Sequence, residues 1–87
     1  MIYTIIVEKS AQKFLQKLSG KIYKSVAAAI DELATNPRPE GCVEIKPYIN
    51  IYRIRQGDVR IIYEVTDTEL IIKILDIGNR GQVYNKW

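Results

Sequence analysis

Four of the chain's five arginines, Arg53, Arg55, Arg60 and Arg80, fall within its last 35 residues. Guanidinium groups gathered in this way suit one chemistry above others, because their planar fork meets phosphate oxygens two at a time. The strand period fixes how three of them face. Side chains alternate across a strand, so Arg53 and Arg55 share one face while Tyr52 and Ile54 point to the other. A two-residue Gln56-Gly57 loop would set position 53 opposite 60 and make Arg53 and Arg60 direct neighbours. A four-residue loop would pair Arg55 with Arg60 and keep all three on one face, whereas a three-residue loop without a bulge would send Arg60 to the other side. Like charges facing each other across an antiparallel pair are destabilising, and a bound anion is the remedy. The plainer reading is that the arginines solubilise the open face of a half-covered sheet. The use of arginine throughout, in a chain whose commoner base elsewhere is lysine, favours the anion.

The elements that must position these groups follow from hydrophobic spacing. Residues 2–7 form a β-branched and aromatic run, read as a first strand. From Ser10, Ala11, Phe14, Leu15 and Leu18 fall at helical spacing until Ser19-Gly20. A second helix, about residues 21–35, places Ile22, Val26, Ala29, Ile30 and Leu33 on one stripe and stops at Asn36-Pro37. The two form an antiparallel hairpin, and 36–41 is a connection. Residues 42–47, 50–55, 59–66 and 69–77 read as strands separated by turn-length gaps at Pro47-Tyr48, Gln56-Gly57 and Asp67-Thr68. The run Leu70–Leu75 is apolar enough for a central strand covered on both faces and paired with 2–7. The fold class is therefore α+β: a strand, a helix hairpin and a four-stranded antiparallel meander, with the helices on one face of a mostly antiparallel sheet.

Size and composition bound the rest. With 87 residues, 47% apolar and 26% charged, the chain has ordinary globular composition and builds one core, so a single domain over 1–87 is expected. Its formal net charge of +3 permits nucleic acid or an acidic protein as a partner. One cysteine, Cys42, and no histidine exclude an internal disulfide and the usual structural zinc site. A cytoplasmic location is expected, since no apolar run approaches the roughly 18 residues of a membrane span and no signal-peptide pattern opens the chain.

The pattern Tyr52-Arg53-Ile54-Arg55, then Val-Arg-Ile-Ile-Tyr at 59–63, then Ile-Gly-Asn-Arg…Val-Tyr at 77–84, resembles the RelE/ParE toxin superfamily, and the likeness spans almost the whole chain. It takes in the opening strand and the helix pair ending at Asn36-Pro37-Arg38. The resemblance implies a RelE-like fold. It also implies an endoribonuclease that enters the ribosomal A site and cleaves messenger RNA, with an antitoxin encoded alongside. Carried over, the basic pair falls on Arg53 and Arg55, the next strand's phosphate-binding arginine on Arg60, and the tail's arginine and tyrosine on Arg80 and Tyr84. Lys46 joins Arg53 and Arg55 as a substrate-binding candidate. This set favours the RelE branch over the ParE branch, which poisons DNA gyrase without nuclease activity. Two departures stand out: the basic pair is often lysine in RelE, and the spacing from Arg80 to Tyr84 is shorter here.

Under that resemblance the chemistry is 2′-hydroxyl attack on the adjacent phosphate. Without histidine, proton transfer falls to tyrosine, lysine or arginine, and arginine stays protonated below about pH 12. Nearby guanidinium groups lower a phenol's pKa, which makes Tyr84 the candidate base. Arg60 and Arg80 would stabilise the transition state, with Arg80 also serving the departing 5′ oxygen. No metal-ligand spacing is present, so metal-independent, cofactor-free cleavage is expected, leaving a 2′,3′-cyclic phosphate. The partners implied are the antitoxin, messenger RNA and the ribosome, with operator DNA met only through the antitoxin complex and no membrane. Tyr3, Tyr23, Tyr48, Tyr52 and Tyr63 read as packing residues, Tyr52 buried opposite the arginine face. Trp87 either stacks on a base or closes a sheet edge. Cys42 reads as a small buried hydrophobe, and Lys13, Lys17, Lys21 and Lys24 as a solvated helix face.

Overall fold

The computed structural model describes residues 2–79. Thr4–Val7 form β1, a β-branched run whose stiff χ1 angles favour the extended backbone. Two helices follow, α1 over Lys9–Gln16 and α2 over Gly20–Leu33. Lys17 caps the end of α1, and Ser19, in extended conformation, begins α2, its carbonyl accepting the Tyr23 N–H at 2.7 Å. Four strands complete the order: β2, Val43–Glu44; β3, Ile51–Gln56; β4, Val59–Thr66; and β5, Ile71–Asn79.

These make one five-stranded sheet in the order β1-β5-β4-β3-β2. β2 to β5 form an antiparallel meander, while β1 joins β5 in parallel with Thr4 opposite Ile71 and Val7 opposite Ile74. A parallel pair needs a long crossover, which the helices and the meander supply. The expected architecture is present.

The helices cover one face. Ala11 of α1 and Val26, Ile30 and Leu33 of α2 pack against Ile54, Ile61, Tyr63, Val65, Ile72, Ile74 and Ile77. The period-2 pattern puts these sheet residues on the same side. Ile72 and Ile74 have no exposed surface, whereas Ile71, Lys73 and Leu75 on the other side are only half-buried. The expectation of a central strand covered on both faces is thus met on the helix side among the described residues. A smaller cluster of Ile45, Ile51 and Ile62, with Leu75 against it, lies on the open face.

Three boundaries differ from the sequence reading. The expected strand 42–47 contracts to Val43–Glu44, because the chain turns back over residues 46–50, with Asn50 at φ +63°. The gap at Asp67-Thr68 widens to residues 67–70, with Leu70 at φ +55°. The β3–β4 loop is Gly57-Asp58, with Gln56 paired to Val59, so the pairing of Arg53 with Arg60 is replaced by Arg55 opposite Arg60. Gly57 at φ +63° fits the first loop position of a type II′ hairpin, which glycine tolerates and other residues resist.

Candidate functional site

β3 and β4 bring three of the predicted site residues together. Arg55 stands directly opposite Arg60, and Arg53, two residues back on β3, lies on the same face opposite Ile62. Arg53 and Arg60 are half-buried and Arg55 is exposed. Directly opposed Cβ atoms in an antiparallel pair lie roughly 5 Å apart, so two cations are held side by side at the hairpin's end. A small depression bounded by Arg55, Gly57, Asp58 and Arg60 opens between them. On the far side of β4, Gly78 stands opposite Arg60 and places no side chain beside it.

The same face carries a carboxylate that the sequence reading did not select. Asp76 is 8% exposed and lies opposite Ile62, two residues before Gly78 on β5. On a regular strand Asp76 would share a face with Ile72 and Ile74 and so enter the core. A β-bulge prevents this: Ile62 pairs with Asp76 and Tyr63 with Ile74, leaving Leu75 between them and reversing the alternation. Ile77 then takes the core position while Asp76 turns to the arginine face, its Oδ1 accepting the Ile77 N–H at 3.0 Å. No composition signal marks a bulge of this kind, although Asp76 in an otherwise apolar run points to one.

The fifth arginine, Arg38, has a different task. Its guanidinium makes an ion pair with Asp67 at 2.8 Å, its Nε–H donates to the Tyr52 hydroxyl at 2.9 Å, and its Cζ lies 5.2 Å from the Tyr52 ring centre. Tyr3 donates to the other Asp67 oxygen at 2.6 Å. This clasp ties the connection after α2 to the 67–70 turn and to the residue preceding β1. Arg38, first, and Tyr3 hold the Asp67 carboxyl below its ordinary value. The hydrogen bond to Asp67 is also the main reason the Tyr3 phenol is raised. Behind the clasp Tyr52 stacks on Tyr63 at 5.8 Å, and the Tyr63 hydroxyl donates to the Pro37 carbonyl at 2.8 Å. Burial pushes the Tyr63 phenol up. Tyr52 lies opposite the arginine face as expected, but half-buried, because Arg38 covers it from outside. Cys42 packs at the margin of the core and is half-buried.

Residues 5–84 match the model of the ParE toxin of type II toxin–antitoxin systems. The chain belongs to that family. A protein of Escherichia coli named as a RelE-like toxin is 29% identical to this toxin over 89 residues, covering 98% of this chain and 93% of its own. A chain of the archaeal RelE–RelB complex from Pyrococcus horikoshii OT3 has the same fold. Its TM-score is 0.80 at 32% identity over 95% of this toxin and 100% of that chain. A chain of the RelB–RelE antitoxin–toxin complex from Methanococcus jannaschii gives 0.73 at 27% identity, over 94% and 98%. The toxin is therefore of RelE/ParE type with a RelE-like fold, and these structural neighbours are complexes of toxin with antitoxin.

Of the remaining candidates, one lies in a connection and the others beyond the described residues. Lys46 is exposed, beyond the end of β2 in the connection to β3. Arg80 and Tyr84, and Trp87 with them, lie outside the described residues. Among the described residues no helix is long and apolar enough to cross a membrane.

Proposed function

We propose that this toxin is a ribosome-dependent, metal-independent endoribonuclease that cleaves messenger RNA in the A site and is held inactive by a cognate antitoxin in the cytoplasm. The observation that supports this reading best is the Arg55–Arg60 pair with Arg53 beside it on the open face. Two opposed guanidinium groups cost the sheet stability, and an RNA phosphate between them reverses the sign of that interaction. Arg53, Arg55 and Lys46 then bind substrate. Arg60 and Arg80 stabilise the pentacoordinate phosphorus; Tyr84 accepts the 2′-hydroxyl proton, the 2′-O–P bond forms as the P–O5′ bond breaks, and the 5′ oxygen, hydrogen-bonded by Arg80, takes a proton from water to leave as a 5′-hydroxyl.

The test is expression in cells with mapping of messenger 5′ ends, comparing the wild type with Arg60→Ala, Arg80→Ala and Tyr84→Phe. Each substitution should reduce cleavage by roughly two to three orders of magnitude, the effect of removing one preorganised donor worth about 2.7–4 kcal/mol. Cleavage by the Arg80→Ala/Tyr84→Phe double variant at wild-type rate would remove the assignment. A second reading, gyrase poisoning without nuclease activity, is supported by the ParE family match over residues 5–84. It predicts arrested supercoiling with messengers intact.

A further inference from the structure

The end of the β3–β4 hairpin, which carries the opposed arginines, projects beyond its neighbour β2. That strand begins at Val43, opposite Arg53, so among the described residues no strand flanks β3 from Ile54 to Gln56 on its outer side. On the helix-covered side two clefts of about 610 and 580 Å³ open against this end, the first over the later turns of α2 at Ala29 and Leu33, the second over its first turns at Lys21 and Ile22. Gln56 is the one residue that lines both. Its side chain bridges to α2 between them: Nε2–H donates to the Ser25 hydroxyl oxygen at 2.6 Å, and both residues are half-buried.

Gln56 pairs with Val59 in the last rung before the Gly57-Asp58 loop. Val59 is 3% exposed within the main core, so this rung is anchored by one apolar contact and one hydrogen bond. The two anchors differ in kind. Apolar burial is non-directional and holds the end down without fixing its angle, whereas a hydrogen bond weakens steeply as its angle departs from linear. Arg55 and Arg60 form the next rung and point to the other face, so a twist of the anchored rung is passed to them. Their mutual repulsion favours such a twist. The composition of α2 adds a second sign: it carries alanine at 27, 28 and 29 but serine at 25, and serine is the poorer helix former.

We propose that Ser25 is a positioning residue for the arginine pair: its hydroxyl holds the Gln56 amide, the amide sets the angle of the hairpin end, and that angle fixes where Arg55 and Arg60 meet the RNA phosphodiester. The proposal rests on the ribonuclease reading. Ser25 acts only through Gln56, from the side of the sheet away from the phosphate. A serine with a structural task alone would contribute to stability and leave the aim of the arginines unchanged.

The test uses the full chain as wild type, Ser25→Ala, Gln56→Leu and the double variant, with Ser25→Thr as the form that retains the hydroxyl. Ser25→Ala keeps the helix, since alanine is the better helix former. Misplacing a reacting group by ~1 Å can cost on the order of a hundredfold, so single-turnover cleavage on ribosomes programmed with messenger RNA should fall about tenfold at saturation in Ser25→Ala, with a smaller change in the half-saturating ribosome concentration. Gln56→Leu should match it, the double variant should lose no more than either single one, and Ser25→Thr should restore the rate. A second measurement needs no cleavage: inorganic phosphate is titrated while the Arg55 and Arg60 Nε–H resonances are followed. Ser25→Ala should bind phosphate about threefold more weakly, one charge-assisted bond being misdirected. A wild-type rate or wild-type phosphate affinity in Ser25→Ala, losses that multiply in the double variant, or a Ser25→Thr form as slow as Ser25→Ala would overturn the proposal. Absence of cleavage by the wild type overturns the ribonuclease reading instead, and the phosphate titration then decides the role of Ser25.

Discussion

Replacing Arg55 by threonine should make this toxin more stable and less active at once. Arg55 is exposed and faces Arg60 across the β3–β4 pair. For charged heads separated by about the cross-strand spacing, ~6 Å, with water as the screening medium, Coulomb repulsion amounts to ~0.7 kcal/mol, in line with the ~0.2–1 kcal/mol found for cross-strand pairs. Threonine is also a good strand former, so the single substitution mixes two effects. A double-mutant cycle with Arg60→Thr separates them, because only the charge repulsion disappears when the partner is already gone. Urea unfolding at low salt should therefore show Arg55→Thr stabilising the wild-type background by ~0.5 kcal/mol more than the Arg60→Thr background. In a chain of this size ~0.5 kcal/mol is worth ~2–4 °C in Tm. The coupling should fade toward zero at 1 M salt, where the screening length has fallen to ~3 Å. Added sulfate should raise the wild type's midpoint more than the variant's, since an anion bound only by the folded state stabilises it. A coupling of zero at low salt, or of the opposite sign, would refute the claim that this pair is kept at a cost to the fold.

Other consequences concern the scaffold. The Asp67 carboxyl is held low by Arg38 and Tyr3, so its contribution is present above the unfolded value of 3.8 and lost as pH falls through the lower folded value. Asp67→Asn should flatten the acid limb of stability against pH, measured by urea midpoints from pH 7 downward. Burial raises the Tyr63 phenol, a contribution intact below the unfolded value of 10.0 and lost as pH rises beyond it. In an ultraviolet titration, one phenol should ionise only as the chain unfolds, and Tyr63→Phe should abolish that step while costing about 1 kcal/mol for the bond to Pro37. Leu33, 1% exposed in the main core, should cost about 2–5 kcal/mol on Leu33→Ala. Calorimetry that shows less than 1 kcal/mol would mean the site collapses around the gap.

The fold was legible wherever one physical rule decided the matter alone. Helical spacing found α1 and α2 within two residues because Val26, Ile30 and Leu33 face one core and nothing competes for them. The alternation of β3 placed Arg53 and Arg55 together and Tyr52 behind them. Register was harder, since a one-residue change in loop placement moves the partner of every residue on the strand. Gly57-Asp58 was the available signal, because glycine followed by aspartate suits a type II′ turn and Gln56-Gly57 does not. The length of β2 was not legible, as Ile45 and Lys46 look no less strand-like than Val43 and the stop comes from the turn that follows. Arg38 was legible as a basic residue after a proline, but its partner Asp67 lies 29 positions away, beyond any local pattern.

Several places where pattern and structure part company lie along the arginine face, and a single cause links them. Opposed arginines at 55 and 60, a bulge that turns Asp76 toward that face, and a first flanking strand reduced to two residues each depart from what stability alone selects. Local rules are broken where function requires it and obeyed elsewhere. On the helix-covered side the same three strands present an unbroken apolar set, Ile54, Ile61, Tyr63, Val65, Ile72, Ile74 and Ile77. The charged departures at Arg55, Arg60 and Asp76 are collected on the other side. That asymmetry argues that this surface is selected for what it binds, and the salt dependence of the Arg55–Arg60 coupling measures what the fold gives up to keep it.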